Sequence, residues 1–121
     1  MTNETRPPFV DIPTVRAVRA NVTPGAATEL YERFIAEIAS HGLTDARGES
    51  VGPEELQSLS HTLKSTCGTF GLALLADLAA SIGEACHKGD YETAARLAEA
   101  FDAATQPSIT AMREVLTTLE G

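Results

Sequence analysis

The stretch "SHTLKSTCGTFG", Ser60–Gly71, carries one of the three histidines in this 121-residue chain. It reads as the second half of a helix that ends in a tight turn. Traced back to Pro53, which suits a first helical position, the segment "PEELQSLSHTLKSTCGTF" has a clear apolar edge. At ~100° per residue, Leu56, Leu59, Leu63, Cys67 and Phe70 fall within roughly 80° of one another. His61 lies about 160° from the centre of that stripe by the same count. One face of the helix is therefore made for burial, and the histidine projects from the opposite face. Gln57, Ser58, Lys64, Ser65 and Gly68 share its face, being three, four or seven residues away.

Helical periodicity continues on both sides, and no alternating strand pattern persists. After Pro13, Val15, Val18 and Val22 are spaced as a short amphipathic helix over about 13–22. In "TPGAATELYERFIAEIASHG", Thr23 reads as the N-cap and Pro24 as the first helical residue. Its apolar stripe is Leu30, Tyr31, Phe34, Ile35 and Ile38, and Gly42 is the stop signal. "LTDARGESVG" is polar and glycine-rich, and reads as a loop. Beyond Gly71, "LALLADLAASIGEACHKG" forms the next helix, with Leu74, Leu75, Leu78, Ile82 and Cys86 on one face. His87 and Lys88 suit the negative end of its dipole, and Gly89 suits its C-cap. Asp90 then caps the longest helix, which runs towards Leu119 through Ala94, Leu97, Phe101, Met112 and Leu116. Pro107 predicts a kink near Ala103–Pro107 rather than a boundary, because the apolar period resumes at Ile109. The expected fold is all-α: an antiparallel four-helix bundle with an additional short N-terminal helix. It forms a single domain over 1–121, with the bundle core over about 24–119.

Composition agrees. Hydrophobic residues make up 43 % and aromatics 5 %, with no Trp, so the core is built from small aliphatic side chains that favour close-packed helices. A formal net charge of −8 argues against a nucleic-acid backbone or an anionic membrane as partner. The N-terminal "MTNETRPPFVDIP" lacks a basic-then-apolar signal pattern, and the most apolar run, "GLALLADLAA", is too short to span a bilayer. These features predict a cytoplasmic protein, and nothing in the sequence demands more than a monomer. Cys67 precedes the turn while Cys86 lies far down the returning helix, so the two read as separate buried thiols rather than a disulfide.

The chemistry concentrates at His61. Neutral imidazole is a nucleophile near pH 7, and a ring nitrogen can take a phosphoryl group. Small neighbours leave clearance for an incoming protein, and Lys64, one turn on, can offset charge on phosphoryl oxygens. Phosphoryl transfer depends mainly on positioning and electrostatic stabilisation. An exposed helical histidine alone signifies little. Here Ser58, Ser65 and Gly68 cluster around it, although Ser and Gly weaken a helix relative to Ala.

"HTLKSTCGTFGL" resembles the signature of histidine-containing phosphotransfer (HPt) domains. In that family His-x-Leu-Lys-Gly is followed by small residues, with a further Gly ten positions after the histidine. His61, Leu63, Lys64, Gly68 and Gly71 match common family residues. The resemblance implies a phosphorelay intermediate without kinase activity of its own. It would take a phosphoryl group from the aspartate of a response-regulator receiver domain, or from a hybrid histidine kinase, and pass it to another receiver. It implies His61 as phosphoryl acceptor and donor, Lys64 as electrostatic support, and Gln57, Ser58, Ser65 and Gly68 as the receiver-docking face. No cofactor of its own is implied, with Mg²⁺ expected in the partner receiver. Two positions depart from the pattern. Ser65 stands where the family usually has Gly, and an ungapped register puts Gly83 where members often carry a Gln or Glu that orients the imidazole. That role is then either absent or passed to Glu84.

Other readings fare less well. A non-catalytic helical adaptor that binds receiver or kinase domains without phosphotransfer is the principal alternative, motivated by Ser65 and Gly83. An enzyme using His61 as general base would need an orienting group within hydrogen-bond reach, and that face offers no clear candidate. His41 and His87 each sit near a helix C-terminus as dipole partners. Cys86, His87 and Asp90 match no closed structural zinc spacing, so no metal site is expected. Neither a P-loop nor a G-x-S-x-G turn occurs.

Overall fold

The computed structural model describes residues 7–40, 42–45 and 49–120, and among these every named element is a helix. In chain order they are α1 (Ile12–Ala20), α2 (Pro24–Ser40), α3 (Pro53–Phe70), α4 (Ala73–His87) and α5 (Tyr91–Glu120). α3 packs along α4, and α4 along α5, while α1 and α2 close the remaining side. The expected all-α bundle with a short leading helix is what forms. No described helix is long and apolar enough to cross a membrane.

Local chemistry sets the helix ends. The Ala26 N–H donates to Thr23 Oγ1 at 3.3 Å at the start of α2, and the Thr93 N–H donates to Asp90 Oδ1 at 3.2 Å at the start of α5. α5 continues through Pro107 as one helix. Two details differ from the sequence reading. α1 ends at Ala20, so Val22 lies outside it and is exposed. Leu30 also faces outward, and Ala27 joins Tyr31, Phe34, Ile35 and Ile38 on the buried side of α2. His41 lies outside the described residues.

The core gathers Leu56, Leu63 and Cys67 of α3 with Leu75, Leu78 and Ile82 of α4 and Phe101, Ile109 and Met112 of α5. α2 joins through its aromatic rings. Phe34 stacks on Phe70 with centroids 4.4 Å apart, Tyr31 meets Phe70 edge-on at 5.3 Å, and the Tyr31 hydroxyl donates to the Phe70 carbonyl at 3.0 Å. The segment joining α2 to α3 contributes, among its described residues, an isolated antiparallel bridge between Thr44 and Ser50. It nonetheless buries Leu43 completely. The Asp102 carboxylate on α5 accepts from the Leu43 N–H at 3.0 Å and the Thr44 N–H at 2.9 Å. The Thr44 hydroxyl donates to it at 2.6 Å. Charge-assisted bonds of this kind satisfy backbone donors that the loop itself leaves without partners.

α1 is fastened to the turn between α3 and α4. The Asp11 N–H donates to the Gly71 carbonyl at 2.8 Å, and Val10 and Val15 bury against the core. Gly71 adopts φ +92 as the C-cap of α3, a left-handed conformation that costs little only for glycine. A Cβ there would meet Val15 Cγ2 at 3.0 Å and the Asp11 carbonyl oxygen at 3.1 Å. Both cysteines are free and buried, as expected.

Two expectations follow from this packing. Gly71→Ala destabilises the protein by about 1–3 kcal/mol through the backbone conformation alone, more if α1 is displaced, read as a lower urea midpoint. Burial pushes the Tyr31 hydroxyl up to about 12 against the lowering effect of Arg19, and burial pushes the Cys67 thiol up to about 12. Both groups are held neutral in the folded chain, while the unfolded chain releases their protons first. Stability is therefore undiminished below about pH 9 and falls as the pH rises towards 12. Thermal midpoints measured across that range will decline, with a shallower slope for Tyr31→Phe.

Candidate functional site

The helical repeat that buries Leu56, Ser60, Leu63 and Cys67 on α3 turns the intervening residues outward. Gln57, Ser58, His61, Lys64, Ser65 and Gly68 are all exposed, as the sequence predicts. Gln57, Ser58, His61 and Lys64 form one wall of a cleft of about 600 Å³ between α3 and α4. Ala79, Ala80, Gly83, Glu84 and His87 of α4 form the other. Ser65 and Gly68 lie outside the cleft lining, farther along the same helix.

Sequence reasoning missed several residues of this cleft, Ser60 and His87 among them. Ser60 is only 1 % exposed, although it adjoins the exposed His61. It sits four residues after Leu56 and three before Leu63, so the helical period marks it as inward-facing, but its polarity masks the signal. Its hydroxyl is satisfied within α3, donating to the Gln57 carbonyl at 2.9 Å. His87 closes α4 in its last turn, consistent with a dipole role, and also lines the cleft.

Gly83 stands directly against Ser60. A Cβ on Gly83 would lie 3.4 Å from Ser60 Oγ, an ordinary contact. At Gly68 an added Cβ would meet nothing within 4 Å. Both positions are inside helices, where Gly costs about 1 kcal/mol relative to Ala. Internal packing requires glycine at neither.

The His61 imidazole forms no hydrogen bond, and Lys64 no ion pair, among the described residues. An open imidazole with an uncommitted ammonium one turn away can meet an anionic group arriving from outside. Cys86 is buried, whereas His87 and Asp90 are exposed, and Asp90 is engaged at the start of α5. Its bonds from Thr93 hold its carboxyl below the ordinary carboxylate range. Among the described residues no three His, Cys, Asp or Glu side chains are grouped so as to hold a metal ion.

Residues 29–120 match a family model described as Hpt domain. No curated protein and no solved structure matches the chain.

Replacing Gly68 by Ala is expected to stabilise the protein by about 0.5–1 kcal/mol, because the methyl enters open space on a helix. A raised thermal midpoint checks this. An unchanged or lowered one would indicate that the glycine is needed by the fold itself.

Proposed function

The chain belongs to the Hpt domain family, and from that membership we propose that His61 is its phosphoryl-carrying residue. Hpt domains serve histidine phosphotransfer in two-component signalling as phosphocarriers rather than kinases, and they interact with receiver and kinase domains. In this reading the chain accepts a phosphoryl group from the aspartate of a receiver domain, or from a hybrid histidine kinase, and donates it to another receiver. The observation that carries the assignment is the placement of His61, exposed on the face of α3 opposite its buried edge and free of internal hydrogen bonds.

The lone pair on one ring nitrogen attacks the phosphorus of the aspartyl phosphate. A P–N bond forms, the P–O bond to the aspartyl group breaks, and the aspartate leaves as carboxylate. The other ring nitrogen keeps its hydrogen, so the phosphorylated ring carries positive charge that the phosphoryl oxygens offset. The reverse sequence returns the group to a second receiver. Lys64 supports the phosphoryl oxygens electrostatically. The receiver contributes its own aspartate and Mg²⁺, and docks over Gln57, Ser58, Ser65 and Gly68, the last three of which are small enough to allow close approach. The protein acts as a cytoplasmic monomer and needs no cofactor of its own.

Incubation with a phosphorylated receiver should transfer label to the protein in an acid-labile, base-stable form, and His61→Gln should abolish it. Label persisting undiminished in His61→Gln would overturn the assignment. Lys64→Ala should retain the label but form it about tenfold more slowly, equivalent to about 1.4 kcal/mol of lost transition-state stabilisation. A receiver pull-down that is indifferent to His61→Ala, together with no labelling of the unaltered protein, would instead identify an adaptor.

A further inference from the structure

The cleft beside His61 has a corner that the chain's own side chains leave open. An imidazole reacting through one nitrogen is oriented by whatever its other nitrogen bonds, and transfer requires that ring to be held in a narrow geometry. His61 has no such partner among the described residues. Across from it, at the level of Ser60, α4 presents Gly83 and therefore no side chain at all. A methyl group would fit there, 3.4 Å from Ser60 Oγ, so the gap is not a consequence of crowding. Ser60, Ala79 and Gly83 give this part of the cleft a shallow floor, while Gln57, Lys64 and Glu84 give it a polar, exposed rim. A polar side chain suits that opening better than an apolar one.

We propose that a hydrogen-bond-accepting side chain of the docked receiver enters the gap above Gly83 and bonds the His61 imidazole N–H. The partner then orients the ring, and Gly83 decides which receivers can reach it. This inference rests on the phosphorelay reading. The occupant follows from position and charge. The gap is continuous with His61, so a receiver presenting its aspartyl phosphate to the imidazole covers it. Lys64 lies on the same wall and faces that receiver's acidic centre. Holding the acceptor on the partner makes a well-oriented imidazole a property of the complex rather than of the free protein.

The test compares two phosphoryl donors. Phosphoramidate is small and needs no docking. The second donor is the phosphorylated receiver that labels the unaltered protein fastest in a panel from the same cell. Gly83→Ala and Gly83→Leu are measured with both donors, alongside their thermal midpoints. The expected result is a raised midpoint for Gly83→Ala, with receiver transfer reduced tenfold or more relative to phosphoramidate labelling. The reduction should be larger still for Gly83→Leu, and if that variant does not fold, Gly83→Ala alone decides. An unchanged ratio of the two rates in the folded variants overturns the proposal. So does a Glu84→Ala variant slowed equally with both donors, since the ring would then be oriented from α4. If neither donor labels His61 in the unaltered protein, the phosphorelay reading itself fails, an outcome distinct from an unchanged ratio.

Discussion

Burial of Leu56, Leu63 and Cys67 along one edge of α3 is the constraint from which the site follows. A helix turns about 100° per residue, so fixing that edge against α4 leaves no freedom over where the rest of the helix points. Each fully buried leucine contributes about 1.5–3 kcal/mol, far more than any preference of a lone imidazole for water or protein. His61 is thus exposed because its neighbours are apolar, and its rotational position is held as firmly as the core. A reactive group placed this way needs no dedicated support to remain accessible.

The same edge explains why the helix pair bearing His61 is rigid in one respect and permissive in another. Ser60 is buried beside the histidine, but its hydroxyl is satisfied by its own helix, so it asks nothing of α4. Gly83 can then face it without leaving a polar atom stranded. The exposed side, in contrast, carries residues that the fold does not use. Glycine at positions 68 and 83 weakens two helices with no compensating internal contact. Such a loss is understandable where another molecule must come close.

Much of this was legible in the sequence, because helical periodicity is a strong signal when an apolar edge is sustained over several turns. The five helices, the outward direction of His61, its exposed companions and the two separate thiols all follow from spacing. The features that escaped are those in which one residue matters through a distant partner. Asp102 reads as an ordinary solvated acid on α5, yet it ties down Leu43 and Thr44, more than fifty residues earlier. Leu43 looks like part of a polar loop, yet it is wholly buried. Ser60 obeyed the helical period but was disguised by its hydroxyl. Leu30 failed in the opposite sense, an apolar residue at the margin of the stripe that the neighbouring helices do not cover. The joint membership of His87 and His61 in one cleft required knowing how α3 and α4 align, which spacing within either helix does not give.

The attachment of α1 to the α3–α4 turn bears on where this protein can be cut. Family similarity begins at residue 29, but the Asp11 amide and the Val15 side chain reach over to Gly71, within the region of similarity. A fragment trimmed to the matching portion would strip the cover from the hinge between the two helices that frame the cleft. The start of the family match and the start of the packed fold therefore fall at different places. Transplanting this module into another polypeptide calls for the earlier of the two.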